Sequence, residues 1–244
     1  MDNLFIRSIK YTPPTDTKEY PFSIPAVKDI GKIILTQPVT FLVGENGTGK
    51  STIIEAIAVA AGFNAEGGTK NYNFTSQNTT SSLNEQLTLI RGHFREKYGY
   101  FLRAESFYTT ANYAENGTEL ISGPAPIYFD GKRIHEQSHG EAFMSIVKEF
   151  RPKGLYIFDE PESALSPNRL FELMRSIHEL VGQGAQFIIA THSPILLAYP
   201  ATIYEMSNQG IMQKKYDELE NIQLTRDFMN HPEVFLQHII KNTK

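Results

Sequence analysis

The chain has 244 residues, of which 41% are hydrophobic and 20% charged, so it is long and apolar enough to bury a core. Its formal charge of −4 argues against a surface that is basic throughout, and the absence of cysteine excludes disulfides and thiolate chemistry. No run approaches the ~18 apolar residues that a membrane helix needs. We expect a cytoplasmic globular protein without membrane insertion.

Strands and helices alternate along the chain. Apolar and β-branched runs predict strands at Leu4–Tyr11, Ile33–Leu35, Val39–Val43, Tyr98–Arg103, Leu155–Phe158 and Phe187–Ala190. Periodic apolar positions predict helices at Ser51–Ala61, after Ser166-Pro167, after Ser193-Pro194 and at Pro232–Ile240, and we expect the last of these to pack on the core. This alternation predicts an α/β fold with a mainly parallel sheet that helices cover on both faces.

One stretch interrupts the alternation. Gly62 to Ser82 is rich in Asn, Thr, Ser and Gly and predicts a surface loop. We therefore expect a single domain over residues 1–244, with residues 62–135 as an inserted loop and arm.

A phosphate-binding loop is predicted where the strand Val39–Val43 ends. Gly44–Ser51 matches G-x-x-x-x-G-K-[ST] between a strand and a helix, which is the context this motif requires. Its glycines let backbone amides and the next helix N-terminus surround an anion. We expect Lys50 to reach the β- and γ-phosphates of ATP and Ser51 to bind Mg²⁺. The nucleotide-contacting residues predicted here are Gly44, Glu45, Asn46, Gly47, Thr48, Gly49, Lys50, Ser51 and Thr52.

Two other predicted strands also end in polar residues. Asp159 and Glu160 follow Leu155–Phe158, and ligands of α/β sheets bind at this edge. We expect Asp159 to hold Mg²⁺ and Glu160 to orient or deprotonate the attacking water. His192 follows the next strand and can donate to the γ-phosphate. The alternatives are two solvated acids and a structural histidine.

Ser138-x-x-Glu141 is a capping box and predicts a helix that starts at Ser138. The N-terminus of this helix would present a hydroxyl, backbone amides and a positive dipole end to an anion. A phosphate held by a second subunit would explain that arrangement.

Together these segments resemble the ABC-type ATPase head, a P-loop NTPase, in the branch of structural-maintenance-of-chromosomes, RecF-like and OLD-like proteins. The strings DEPESALSP and ATHSP resemble small bacterial ATPases of the OLD-like group. The resemblance implies that Ser138, Gly140 and Glu141 belong to the signature motif, that Ser163–Ser166 is the D-loop and that His192 is the switch histidine. It further implies an ATP-dependent homodimer that sandwiches two ATP molecules and drives a protein partner or acts on DNA.

The chain departs from the family pattern at two places. Gln137-Ser138-His139-Gly140 stands where the family has Leu-Ser-Gly-Gly. The family also has a glutamine near the end of the strand after the first helix, for which Arg103 or Glu105 are the candidate replacements. Tyr11, Tyr20 and Phe22 are all candidates for stacking on the base.

Other interpretations stay open. His135-Glu136-x-x-His139 matches a zinc-protease string, but a helix capped at Ser138 would leave His135 outside it. The basic and aromatic residues between Arg91 and Phe101 are compatible with DNA binding or with a half-exposed, solvated segment. For the whole chain, the alternatives are a transporter's ATP-binding subunit, a nucleotide-gated interaction module with little turnover, and a small-molecule kinase.

Overall fold

The computed structural model describes residues 3–28, 30–70, 81–104 and 137–241. The strands, numbered in chain order, are β1 (Ile6–Tyr11), β2 (Lys32–Ile34), β3 (Val39–Gly44), β4 (Leu87–Arg91), β5 (Tyr98–Arg103), β6 (Gly154–Asp159), β7 (Gln186–Ala190), β8 (Thr202–Ser207) and β9 (Gly210–Lys214). The α-helices are α1 (Pro25–Lys28), α2 (Lys50–Ala61), α3 (His139–Lys148), α4 (Pro167–Gly182), α5 (Pro194–Leu197), α6 (Glu220–Asn230) and α7 (Pro232–Lys241).

The larger sheet has the strand order β5-β6-β7-β3-β8-β9. All neighbouring strands in it are parallel except β8 and β9, which form an antiparallel hairpin. Asp159 at the end of β6 pairs with Arg103 of β5 on one side and Ala190 of β7 on the other, and Ala190 also pairs with Leu42 of β3. The carboxyl ends of these strands therefore meet at one edge, and the predicted mainly parallel sheet is confirmed.

Both faces of this sheet are buried, because successive side chains of its strands point to opposite sides. Phe41 and Val43 join the cluster built with α3, α4 and α5, whereas Leu42 joins the cluster around α2. The helices α2 and α3 therefore pack on opposite faces. Because helices bury both faces of the sheet, the sequences of its central strands are continuous apolar runs.

A second, antiparallel sheet has the order β2-β1-β4 and packs against α2. The buried side chain of Gln186 connects the two sheets. Its Oε1 accepts hydrogen bonds from the amides of Phe5 and Ile6 at 2.8 and 3.0 Å, and its Nε2 donates to the Ile6 carbonyl at 2.8 Å. The strand β1 was predicted from the sequence, but its separate sheet was not.

The interval 62–135 contains parts of both sheets. β4 lies in the small sheet, and β5 is the first strand in the order of the large one. Residues 71–80 and 105–136, including Glu105, lie outside the described residues. The inserted arm thus stays a prediction.

The expected tail helix forms as α7, but the expectation that it packs on the core is wrong. Val234 and Ile239, two apolar residues of this helix, are 57% and 63% exposed. Phe235 instead meets Phe228 of α6, with ring centroids 5.7 Å apart. An amphipathic pattern identifies an apolar face without identifying what covers it.

Candidate nucleotide-binding site

The segment predicted to bind phosphate connects β3 to the N-terminus of α2. Gly47 and Gly49 have φ values of +85° and +95°, a region that side chains other than glycine rarely adopt. A Cβ on Gly49 would also lie 3.0 Å from Ile24 Cγ2. The two glycines are therefore required by the backbone of the loop.

Lys50 opens α2 and is 4% exposed. Its Nζ donates to the carbonyls of Gly44 and Glu45 at 2.7 and 2.9 Å and lies 3.7 Å from Glu160 Oε1. Thr48 closes the same loop, since its hydroxyl donates to the Glu45 carbonyl at 2.8 Å. The ammonium group is thus held inside the loop, next to the carboxylate predicted to activate water.

Ser51 and Asp159, the predicted Mg²⁺ ligands, lie together although they are 108 residues apart in the chain. The Ser51 hydroxyl donates to Asp159 Oδ1 at 3.1 Å. Hydroxyl and carboxylate oxygens are the donors that Mg²⁺ prefers, so this pair fits the ion.

Arg103, one of the two candidate replacements for the family glutamine, lies beside Asp159. Its Nε is 3.6 Å from Asp159 Oδ2, and its Nη1 donates to Glu55 Oε2 at 2.7 Å and to the Ala65 carbonyl at 3.1 Å. A guanidinium therefore lies beside the carboxylates of both Glu55 and Asp159, and its replacement of the family glutamine stays a prediction.

Glu160 has an unusual backbone for a residue that is not glycine. Its φ and ψ are 50° and 56°, in the left-handed region, and its amide donates to the Ala190 carbonyl at 2.9 Å. Such a conformation costs on the order of 1 kcal/mol and is often found at functional sites. Here it turns the chain sharply at the end of β6, so that the carboxylate faces Lys50 and His192.

His192 follows β7 and is half exposed. Its Nδ1 lies 3.9 Å from Glu160 Oε1 and 3.1 Å from Glu162 Oε1. Sequence reasoning did not assign Glu162 to the site. The sequence did contain an indication of it, because Glu162 is a third acid that follows Asp159 and Glu160 on the turn between β6 and α4.

The capping box at the start of α3 is confirmed. The Ser138 hydroxyl accepts from the Glu141 amide at 3.4 Å, and Glu141 Oε2 accepts from the Ser138 amide at 2.9 Å. Gln137, the predicted replacement for the family leucine, is buried and accepts a hydrogen bond from Ser145 at 2.9 Å. A Cβ on Gly140 would lie 3.2 Å from the Ala164 carbonyl oxygen, so glycine lets α3 approach the turn after β6.

Of the other predicted contacts, Thr52 meets Tyr20, with the two hydroxyl oxygens 3.0 Å apart. Tyr20 is 67% exposed, whereas Phe22 packs against the core cluster around α2, and both stay candidates for stacking on a base. The candidate Tyr11 is wrong, because its ring is buried in the core around α2. In the zinc-protease string, His139 is the first residue of α3, and His135 and Glu136 lie outside the described residues.

A phosphate loop at the carboxyl edge of a mainly parallel sheet, with two acids and a histidine from neighbouring strands, defines a P-loop NTPase of the ABC-type ATPase head class. A family model described as an AAA domain matches residues 25–159. This is more than half of the chain, which therefore belongs to the AAA domain family of ATP-binding ATPases. A second AAA-domain model, whose description names the AbiEii toxin of a Type IV TA system, matches residues 142–198.

The sequence identity between this chain and individual proteins is low. The L-cystine transport system ATP-binding protein TcyN of Escherichia coli (strain K12) is 24% identical over 176 residues, which span 63% of this chain and 69% of that protein. CbiO1 from Clostridium perfringens, part of the ABC transporter complex CbiONQ, aligns with 98% of this chain and 99% of its own at a TM-score of 0.51 and 16% identity. The SMC head domain from Thermotoga maritima aligns with 87% of this chain and 99% of its own at a TM-score of 0.46 and 17% identity. The similarity to CbiO1 shows a common fold.

Within the part of the chain that the structure describes, no helix is both long and apolar enough to span a membrane.

Proposed function

We propose that this chain is a cytoplasmic Mg²⁺-dependent ATPase whose two copies close around ATP and open on hydrolysis. The observation that carries the proposal is the meeting of Lys50, Asp159, Glu160 and His192 at neighbouring strand ends. Glu160 Oε1 lies 3.7 Å from the Lys50 ammonium and 3.9 Å from the His192 ring nitrogen. A base next to two groups suited to hold a phosphate matches the needs of phosphoryl transfer.

In this proposal each side chain has one task. Lys50 leaves the loop carbonyls to bind the β- and γ-phosphates, and Ser51 with Asp159 holds Mg²⁺. The ion, when bound, neutralises charge on the phosphate oxygens. Glu160 orients a water molecule and takes its proton as the water oxygen bonds to the γ-phosphorus and the bond to ADP breaks. His192 donates to the γ-phosphate, and Tyr20 stacks on the base.

The position of α3 supports the proposal of a second subunit. Its N-terminus carries Ser138, which is exposed, and α3 packs on the face of the sheet opposite to α2. In a homodimer this N-terminus would meet the γ-phosphate bound by the other copy, where its dipole and amides stabilise negative charge.

The test is the solution mass of Glu160→Gln with and without Mg-ATP. This variant keeps the size of the side chain but cannot accept the water's proton, so the closed dimer should accumulate. We expect a shift from 27.6 kDa to twice that mass on adding Mg-ATP. Glu172→Gln, which alters an exposed carboxylate on α4, is the matched control and should behave as the wild type.

A monomeric Glu160→Gln that binds ATP would contradict the homodimer. If the wild type also binds ATP without turning it over, the chain is better described as a nucleotide-gated interaction module.

For the partner, we propose DNA in a maintenance or genome-defence role, supported by the surface between β4 and β5. His93, Phe94, Arg95 and Lys97 are exposed there, and Phe94 is 58% exposed. The Lys97 amide donates to the Lys153 carbonyl at 3.3 Å, which brings a further exposed cation to the same place. Cations around an exposed aromatic ring suit single-stranded DNA, through phosphate contacts and base stacking.

The charge reversals Arg95→Glu and Lys97→Glu should together weaken the binding of a labelled single-stranded oligonucleotide and flatten its salt dependence. Arg175→Glu, on the exposed side of α4, is the control. Equal oligonucleotide affinity of both variants would contradict this surface.

A second candidate function is the ATP-binding subunit of a membrane transporter, which the similarity to TcyN favours. It requires separate membrane subunits. Co-purification of the chain with the membrane fraction, retained after salt washing together with a specific membrane-spanning protein, would favour this candidate over a DNA partner.

A further inference from the structure

Glu162 is a buried carboxylate to which the proposed reaction gives no task. Its Oε1 accepts hydrogen bonds from the Thr191 hydroxyl and from the His192 amide, both at 2.7 Å. Its side chain is 9% exposed, and its Oε2 is buried with no hydrogen-bond partner among the described residues. Burying a carboxylate in this way is costly, so the contacts of Oε1 must compensate for it.

These contacts control both the backbone and the ring of His192. The hydrogen bond from the His192 amide to Glu162 Oε1 fixes the position of the residue. The same Oε1 lies 3.1 Å from the His192 Nδ1. A ring nitrogen so close to a carboxylate oxygen is stable there when it carries a proton, because two facing lone pairs would repel each other. Glu160 Oε1 lies 3.9 Å from Nδ1 and also favours a proton on this nitrogen.

We propose that Glu162 is a positioning residue for His192: it accepts a hydrogen bond from a protonated Nδ1 and so directs Nε2, which must carry its own proton to donate, toward the γ-phosphate. The catalytic part of this inference rests on the proposed ATPase function. With Nδ1 next to the carboxylates, a ring protonated on both nitrogens donates to Glu162 and to the phosphate together. A carboxylate that orients a functional histidine through its other nitrogen is a recurrent arrangement.

The same carboxylate also ties two segments together. Glu162 belongs to the turn that follows β6, and Thr191 and His192 belong to the loop that follows β7. The turn continues to Ala164, whose carbonyl oxygen faces Gly140 at the start of α3. Glu162 therefore sets His192 relative to both the proposed catalytic base Glu160 and the proposed signature helix.

The first test needs no nucleotide. The chain contains seven histidines, so nitrogen NMR of protein labelled at the histidine rings is tractable, and His192→Ala assigns the His192 signals. We expect a proton on Nδ1 in the wild type. In Glu162→Gln, whose amide oxygen can still accept from Thr191 and the His192 amide, Nδ1 should lose part of its protonation.

A bare Nδ1 in the wild type would overturn the inference, and this result does not depend on any variant folding. An unchanged His192 spectrum in Glu162→Gln would also overturn it. Glu172→Gln, in the exposed pair with Arg169, should leave the His192 signals unchanged.

The second test measures catalysis. Glu162→Gln should lower ATP turnover by about tenfold or more, with ATP affinity within about twofold of the wild type. In a His192→Ala background, Glu162→Gln should have no further effect, because the two residues act as one unit. A purely structural Glu162 would instead lower turnover in both backgrounds.

The two tests separate the two ideas. If His192→Ala turns over ATP at the wild-type rate, the proposed role of His192 is wrong, and the catalytic part of the inference fails with it. The placement of the proton by Glu162 is then judged by the NMR result alone.

Discussion

Arg103 offers the sharpest test of how the site is built, because its replacement should lower the stability of the fold and raise the affinity for Mg²⁺. Its guanidinium lies between two carboxylates, with 2.7 Å to Glu55 and 3.6 Å to Asp159. The side chains of Arg103, Glu55 and Asp159 are 18%, 14% and 7% exposed. Arg103→Met keeps most of the side-chain volume and removes the charge.

The expected loss of stability follows from this burial. Removing one partner of a buried ion pair typically costs 3–5 kcal/mol, and partial exposure here reduces that to about 2–4 kcal/mol. The double variant with Glu55→Met should lose less than the sum of the two single losses, by about 1–3 kcal/mol, since the unpaired carboxylate is then absent too. Mg²⁺ should bind more tightly in the presence of ATP, because Asp159 has lost a competing cation.

Urea unfolding in buffer without nucleotide or metal measures the first effect, and the Mg²⁺ concentration needed for half-maximal nucleotide binding measures the second. Arg169→Met, in an exposed pair with Glu172, is the control and should cost less than about 0.5 kcal/mol. If Arg103→Met lowers the free energy of unfolding as little as this control does, the guanidinium does not hold the carboxylates. If the Arg103→Met variant needs more Mg²⁺ for half-maximal nucleotide binding, Arg103 supports the ion instead of competing with it.

Three further outcomes are expected. Lys50→Ala should weaken ATP binding by about tenfold or more in calorimetry, because a charge-assisted contact is lost, and unchanged affinity would contradict the phosphate-loop assignment. Ser138→Arg should leave ATP binding by the monomer unchanged but abolish turnover, so wild-type turnover would rule out a contribution in trans. Burial raises the pKa of Glu96, but hydrogen bonds from Lys70, from its own backbone amide and from Arg91 outweigh it and hold the pKa below the ordinary 4.5. Glu96 should therefore stabilise the fold above that pH, with the contribution lost as pH falls through the lowered pKa. Glu96→Gln should flatten this acid-side decline in thermal unfolding, and equal slopes would contradict it.

The features that could be predicted from the sequence depend on contacts within a few residues. The capping box pairs Ser138 with Glu141, three residues away, and the phosphate loop closes between Gly44 and Lys50. The chemistry of these segments acts locally, so the residue types alone identify them. The sheet edge where the predicted site residues meet was also predictable, because parallel strands place their carboxyl ends together.

The features that were missed depend on distant pairings. Ile9 of β1 lies opposite Leu89 of β4, a partner chosen by the packing of both strands on α2 and not by any local pattern. Tyr11 was one of three aromatic candidates for base stacking, but β1 carries it into the core. The prediction that α7 packs on the core was wrong for a related reason. The amphipathic pattern of α7 does not encode whether another surface is available to cover it.

Glu162 shows how such a miss can arise at a functional site. The sequence places three acids after β6 and a histidine after β7, but only the register of the sheet sets their distances. Asp159 lies opposite Ala190, and the left-handed turn at Glu160 then carries Glu162 across to the Thr191 hydroxyl and the His192 amide. The same turn brings the Glu160 amide to the Ala190 carbonyl. The two loops are thus joined at both ends of the turn. A movement of His192 would therefore be resisted by, or passed on to, the segment that carries Glu160 and whose Ala164 carbonyl lies next to Gly140 at the start of α3.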